Sequence, residues 1–300
     1  MSSSTTQMKS LSLLSARFGD LPKDHERGAA LVEVIEPSRS LDDLVLAPDT
    51  RQILDRILAE NRRADLLYSH GLRPATKIIF CGPPGCGKTV AAEAIAQGLY
   101  LPLVLVRFDA VVSSYLGETA ANLRKVFDFA TARPMVMLFD EFDAIGKSRT
   151  AEEEHGELKR VVNSFLQMLD GFKGEAVMIA ATNHQGLLDV ALWRRFDEAV
   201  YFNKPDHLAI QELLIRNLRQ IGVSTAIRVE SKAKALVGMS HADIERIAKD
   251  AVKQTIIEGR KEVQPDILEQ AINRQRERVR LTQCRDGVRP QRTKRAKKKT

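Results

Sequence analysis

The sequence predicts an α/β protein: a parallel five-stranded sheet sandwiched by helices, followed by a small all-helical domain. Three observations carry this expectation. Short apolar segments alternate with helical patterns over the first two thirds of the chain. A glycine-rich loop joins the first of those segments to the next helix, and after Pro205 the strand signals stop while helical ones continue. Alternating strand and helix signals point to parallel strands joined by crossover helices, which cover both faces of the sheet.

In chain order, residues 1–40 show no sustained period and read as a short, partly disordered extension. Residues 49–67 place Ile53, Ile57, Leu58, Leu66 and Leu67 at helical spacing. Five segments read as buried strands: KIIFC (77–81), LPLVLVR (101–107), MVMLFD (135–140), AVMIAAT (176–182) and EAVYF (198–202). Helical patterns then cover 207–220, 230–237, 241–258 and 264–279. The expected organisation is an extension (1–40), a large α/β domain (41–204), a small helical lid domain (205–280) and a basic, disordered tail (281–300).

Composition narrows the class. At 44% hydrophobic the chain can bury a proper core, yet no run approaches the roughly 18–20 apolar residues of a membrane span. The start, with only LSLL as an apolar core, is too weak for a secretory signal. It is serine-rich and acid-poor up to Asp20, which leaves an organelle transit peptide as the alternative to a disordered end. Cys81, Cys86 and Cys284 show no metal-ligand spacing, so a reduced compartment, the cytoplasm, fits best. The charge is uneven: residues 274–300 hold twelve Lys/Arg against two acids, so the high pI belongs to the tail. No H-E-x-x-H or G-x-S-x-G motif suggests an appended protease or serine hydrolase.

The chemistry begins at GPPGCGKT, residues 82–89, which fits G-x-x-x-x-G-K-[ST] with a strand before it and a helical pattern after it. This is the phosphate-binding loop of a P-loop NTPase fold. Its backbone N–H groups turn inward as an anion nest, and the helix N-terminus adds its positive dipole end. The nucleotide-binding set is Gly82, Pro83, Pro84, Gly85, Cys86, Gly87, Lys88, Thr89 and Val90, with Lys88 on the β- and γ-phosphates of ATP and Thr89 on Mg²⁺. MVMLFDEFDAIG ends an apolar strand in acids, at the carboxyl edge where open α/β sheets bind ligands. Asp140 is the second anchor for Mg²⁺, and Glu141 the base or polariser of the attacking water. Asn183 closes another strand, where an amide can orient that water or a γ-phosphate oxygen.

The order GPPGCGKT, SSYLGET, FDEFDAIG and AATNHQGLLDVALWRRFD strongly resembles the AAA ATPases proper, among them compact single-ring members such as the spastin- or katanin-like ATPases. The resemblance spans about residues 41–272. It implies ATP hydrolysis with Mg²⁺ by a homo-oligomer, usually a hexameric ring. It makes Arg194 and Arg195 the arginine fingers that reach the neighbouring subunit's ATP. It makes Tyr115, Leu116 and Gly117 the first loop facing the central pore, an aromatic, an apolar residue and a glycine able to grip an extended polypeptide. Residues 148–160 would form a second pore-facing loop, or simply a solvated charged turn. GMSHADIERIAKDA (238–251) resembles the family's segment beside the adenine, which brings in Ala242; His241 stands where the family commonly has glycine. Leu44 to Leu46 are further candidates for the adenine pocket, and Asp170-Gly171-Phe172 resembles a segment through which neighbouring subunits communicate.

The resemblance thus implies a ring that remodels, unfolds or disassembles proteins, with a protein substrate or a separate partner such as a protease. The basic tail supports an alternative, a nucleic-acid-associated ATPase, and a third reading is an ATP-gated scaffold.

Overall fold

The computed structural model describes residues 20–25, 28–112, 116–142, 154–183, 193–219 and 221–285. The chain divides into two compact units, Met1–Lys204 and Pro205–Thr300.

The first unit is built on a six-stranded sheet in the order β1-β3-β4-β5-β2-β6. Its strands are β1 (Val32–Ile35), β2 (Lys77–Cys81), β3 (Leu103–Val106), β4 (Val136–Phe139), β5 (Val177–Thr182) and β6 (Glu198–Tyr201). The five strands read from the sequence run parallel. The sixth, β1, lies antiparallel on β3, with Val32 opposite Val106 and Ile35 opposite Leu103. The sheet is therefore mixed, and residues 1–40 are more than an extension: from residue 20 they supply an edge of the large unit. VEVI is only four residues long, and nothing around it repeats. It becomes a strand because the edge of β3 offers unpaired N–H and C=O groups.

Side chains alternate between the two faces with the period of two that a strand imposes. Ile79, Cys81, Met137, Phe139 and Met178 enter one core, packed with Leu123, Val126, Phe127, Phe165 and Leu169. Ile78, Phe80, Leu138 and Ile179 enter the other, packed with Leu54, Ile57, Ala91 and Ile95. The first face is covered by α4 (Phe108–Val111), α5 (Leu116–Thr131) and α6 (Glu154–Gly171), the second by α1 (Pro48–Arg62) and α3 (Lys88–Leu99). A short α2 (Ala64–Ser69) follows α1. Helix α6 starts at Glu154, so that part of the 148–160 segment is helical rather than loop.

The second unit is all-helical: α7 (His207–Leu218), α8 (Val229–Ala235), α9 (His241–Ile257) and α10 (Pro265–Arg285). Ile210, Leu214, Leu236, Ile244, Ile247, Leu268 and Ile272 form its own core. Asp206 caps α7 by accepting from the Ala209 N–H at 2.8 Å, which stops the preceding chain from continuing into the helix.

Candidate functional site

Strand β2 lies between β5 and β6, while β3 and β4 continue the sheet beyond β5. The chain leaves β2 toward β3 and leaves its neighbour β5 toward β6, in opposite directions. The order thus reverses between β2 and β5, and the carboxyl ends at such a switch point are where ligands bind in open α/β sheets. The loop that follows begins at Gly82, with φ +143°. A Cβ on Gly82 would stand 2.1 Å from the Phe202 carbonyl oxygen, so only glycine fits between β2 and β6. Gly85 (φ 72°) and Gly87 (φ 94°) take left-handed conformations that turn the chain tightly, and Gly87 is the N-cap of α3. Pro83, Pro84 and Cys86 occupy the positions between the glycines, and Val90 lies in the first turn of α3.

Lys88 is buried at 6% exposure. Its ammonium donates to the Gly82 carbonyl at 2.7 Å, the Pro83 carbonyl at 3.0 Å and Asn183 Oδ1 at 2.7 Å. Burying an ammonium is costly unless hydrogen bonds hold it. Here the pairing of Cys81 with Thr182 supplies one of them, because it delivers Asn183 beside the loop. The three oxygens are neutral, so a positive charge stands at the Gly-rich loop, where a phosphate group fits.

Thr89 Oγ1 donates to Asp140 Oδ2 at 2.5 Å, and the Glu141 N–H donates to Asp140 Oδ1 at 2.8 Å. A hydroxyl beside a carboxylate is a hard-oxygen pair of the kind Mg²⁺ selects, so these residues fit that ion. Glu141 has φ 51°, one of two non-glycine residues with positive φ among those described. Holding an ordinary residue there costs about 1–3 kcal/mol, and such strain concentrates at functional sites. The carboxyl group of Glu141 is exposed at the sheet edge.

Neither nearby cysteine is a reactive thiol on this geometry. Burial pushes the Cys81 thiol up to about 12, against a small opposing pull from the Lys88 charge. Cys86 is buried at 2% exposure and points its thiol toward the Pro84 carbonyl.

Lys88, Thr89, Asp140, Glu141 and Asn183 are thus brought to one edge of the sheet. The remaining residues singled out from the sequence are placed differently. Arg194 is exposed, whereas Arg195 is half-buried and forms an ion pair with Asp170 at the end of α6. Arg195 Nη1 also reaches the Leu166 carbonyl at 3.5 Å. Tyr115 lies outside the described residues, and Leu116 and Gly117 form the start of α5. Val45 is buried, and Leu44 and Leu46 pack beside the core shared by α1 and α3. Ala242 lies in the first turn of α9, exposed, behind a capping box in which Ser240 and Asp243 satisfy each other's backbone. Gln275 of α10 steadies that turn by donating to Asp243 Oδ1 at 2.7 Å.

Sequence reasoning passed over Asp197. Its carboxylate accepts from the Thr76 and Lys77 N–H groups at 3.0 and 2.8 Å, and its own N–H donates to the Lys77 carbonyl at 2.7 Å. The residue that ends the RRFD segment is therefore pinned to the start of β2. The acid following the arginine pair was the available signal.

Comparison with known proteins bears on this arrangement. Residues 78–204 match the family model described as ATPase family associated with various cellular activities (AAA). The chain is also 46% identical over 239 residues to the uncharacterized AAA family ATPase y4kL of Sinorhizobium fredii (strain NBRC 101917 / NGR234), covering 80% of this chain and 72% of that protein. This chain belongs to the AAA ATPase family. As an AAA ATPase it binds nucleotide and hydrolyses ATP. The match runs from the second residue of β2 to just past β6, so it takes in the phosphate loop, both acids, Asn183 and the arginine pair. Among the described residues of this AAA ATPase, no helix is long and apolar enough to cross a membrane.

Proposed function

We propose that this chain works as a ring, a homohexamer in the cytoplasm, that remodels or unfolds proteins by pulling polypeptide through its pore. The observation that carries the reading is the convergence of Lys88, Thr89, Asp140, Glu141 and Asn183 at the carboxyl edge of the sheet. Lys88 holds the β- and γ-phosphates of ATP against the loop Gly82–Gly87, with the first turn of α3 behind it. Thr89 and Asp140 would hold Mg²⁺, which would offset charge on the phosphate oxygens. Asn183 and Glu141 flank the γ-phosphate: the amide orients the water, the Glu141 carboxylate takes its proton as the oxygen attacks phosphorus, and the bond to the β,γ-bridging oxygen breaks to release ADP. Arg194 and Arg195 serve the neighbouring subunit's site. A guanidinium supplied this way accelerates other nucleotide hydrolases by about 10³–10⁵. In an isolated chain Arg195 is engaged with Asp170, so assembly must exchange that partner for a phosphate.

Tyr115, with Leu116 and Gly117, grips substrate through apolar area, with little regard to sequence. The test uses Glu141→Gln, which keeps nucleotide and ring but stalls hydrolysis. The stalled assembly is isolated from its native cells with and without Tyr115→Ala, and whatever accompanies it is identified. Proteins retained only when Tyr115 is present support threading. Normal turnover by Glu141→Gln would sink the mechanism. Nucleic acid retained regardless of Tyr115 and lost on removing residues 286–300 would favour the nucleic-acid-associated alternative instead.

A further inference from the structure

The part of the chain just before β1 does more than add a strand. Residues 22–24 and 29–31 pair with each other: the Leu31 N–H donates to the Pro22 carbonyl at 2.8 Å, and the Asp24 N–H to the Ala29 carbonyl at 2.8 Å. Leu31 is fully buried, and its carbonyl accepts from the Arg107 N–H at 2.9 Å at the end of β3. The arm presses Asp24 into the protein at 8% exposure, against Asn122 of α5 at 2%. Asn122 Nδ2 donates to Asp24 Oδ1 at 2.9 Å and also reaches the Val111 carbonyl, the last of α4, at 3.5 Å. One turn further along α5, Lys125 Nζ donates to the Lys23 carbonyl at 3.1 Å.

A single buried amide therefore ties together the arm, the end of α4 and the second turn of α5. The chain between α4 and α5 is the segment that carries Tyr115, and α5 itself begins at Leu116. We infer that Asp24 and Asn122 are positioning residues: they set α5 at a fixed height on the sheet, so that its first turn, from Leu116, is held in one register. Asn122 is buried on the helix that sends Leu123, Val126 and Phe127 into the apolar core. Placing a carboxylate and an amide there sacrifices stability for a unique arrangement, a trade buried polar groups make where register matters. The link belongs to the core on the α5 side of the sheet, whereas α3 packs into the other core. Breaking it is expected to leave α3 and the loop it caps in place, which the exchange measurement below checks.

This inference rests on the reading that the start of α5 engages polypeptide, and the experiment separates the two. Full-length parent, Asp24→Ala, Asn122→Ala and Asp24→Asn are compared, the last keeping an oxygen at position 24 to accept from Asn122 and leaving the bond from Asn122 to the Val111 carbonyl untouched. Hydrogen exchange reports α5, and ATP turnover is measured with and without a permanently unfolded chain, reduced and carboxymethylated lactalbumin. In the alanine variants, protection in the first two turns of α5 should fall by about tenfold or more while that of α3 holds. Their basal turnover and KM for ATP should match the parent, and stimulation by the unfolded chain should be lost. Asp24→Asn should keep both protection and stimulation. Unchanged α5 protection in the alanine variants overturns the positioning role, and so does full stimulation despite lost protection. A general loss that reaches α3 and appears in Asp24→Asn as well also overturns it, as a merely structural contact. If the parent itself is not stimulated, the polypeptide-gripping reading fails and the coupling inferred here fails with it, while the exchange data still decide whether the link holds α5.

Discussion

Replacing Gly82 by alanine tests the geometry that seats the phosphate loop. The new Cβ would lie 2.1 Å from the Phe202 carbonyl oxygen, a backbone atom, whereas real Cβ atoms almost never come closer than 3.0 Å to a neighbour. Loop and β6 must then separate by about 1 Å, a forced repacking that costs about 1–3 kcal/mol. The φ of +143° adds strain of about 1–3 kcal/mol for any residue with a side chain. Together these predict a loss of about 2–6 kcal/mol. The unit concerned spans Met1–Lys204, and at that size 1 kcal/mol moves Tm by about 2–4 °C, so a fall of at least about 4 °C is expected. Turnover should fall further, by about a hundredfold, because a 1 Å misplacement of a binding group is enough for that. Gly28→Ala is the control: it also carries a positive φ, +62°, but its Cβ would meet nothing within 4 Å. That variant should lose only about 1–2 kcal/mol from the left-handed backbone. Thermal unfolding by circular dichroism and steady-state ATP hydrolysis read both effects. If Gly82→Ala unfolds no earlier than Gly28→Ala and turns over ATP normally, the close approach of β2 and β6 is not what holds the loop.

Four other outcomes follow from the site and the charge distribution. Subunits carrying Arg194→Ala or Arg195→Ala, mixed with active ones, should depress their neighbours' turnover below the value expected from dilution; strictly additive rates would exclude action in trans. Cys81 stays protonated until pH about 12, so in a C86S/C284S background it should resist iodoacetamide at pH 8 until denaturant is added; rapid native alkylation would contradict its burial. The same raised thiol favours the folded state below pH about 9, and that contribution disappears as pH climbs toward 12, because the unfolded thiol ionises first. Removing residues 286–300 should leave ATP hydrolysis intact, and any nucleic-acid binding by the full chain should fall steeply with salt and vanish on truncation.

Local signals determined much of this protein. GPPGCGKT carries its own turn chemistry, since Gly85 and Gly87 are needed for left-handed backbone and the next residues open a helix. The five apolar strands, the acids ending the third of them, and the helical second unit were legible for the same reason: each depends on periodicity or residue type within a dozen positions. What only the tertiary structure decided depends on partners far apart in sequence. β1 exists because β3 offers it an edge, although VEVI is too short to declare itself. Asp24 meets Asn122 across 98 positions, and Asn183 meets Lys88 across 95. Arg195, read from the sequence as a finger toward a neighbour, is paired with Asp170 of its own chain. Gly82 is obligatory because of a carbonyl that arrives 120 residues later, from Phe202. A sequence pattern can state which residues are able to bond, but the choice among able partners belongs to the packed sheet, which alone sets their distances.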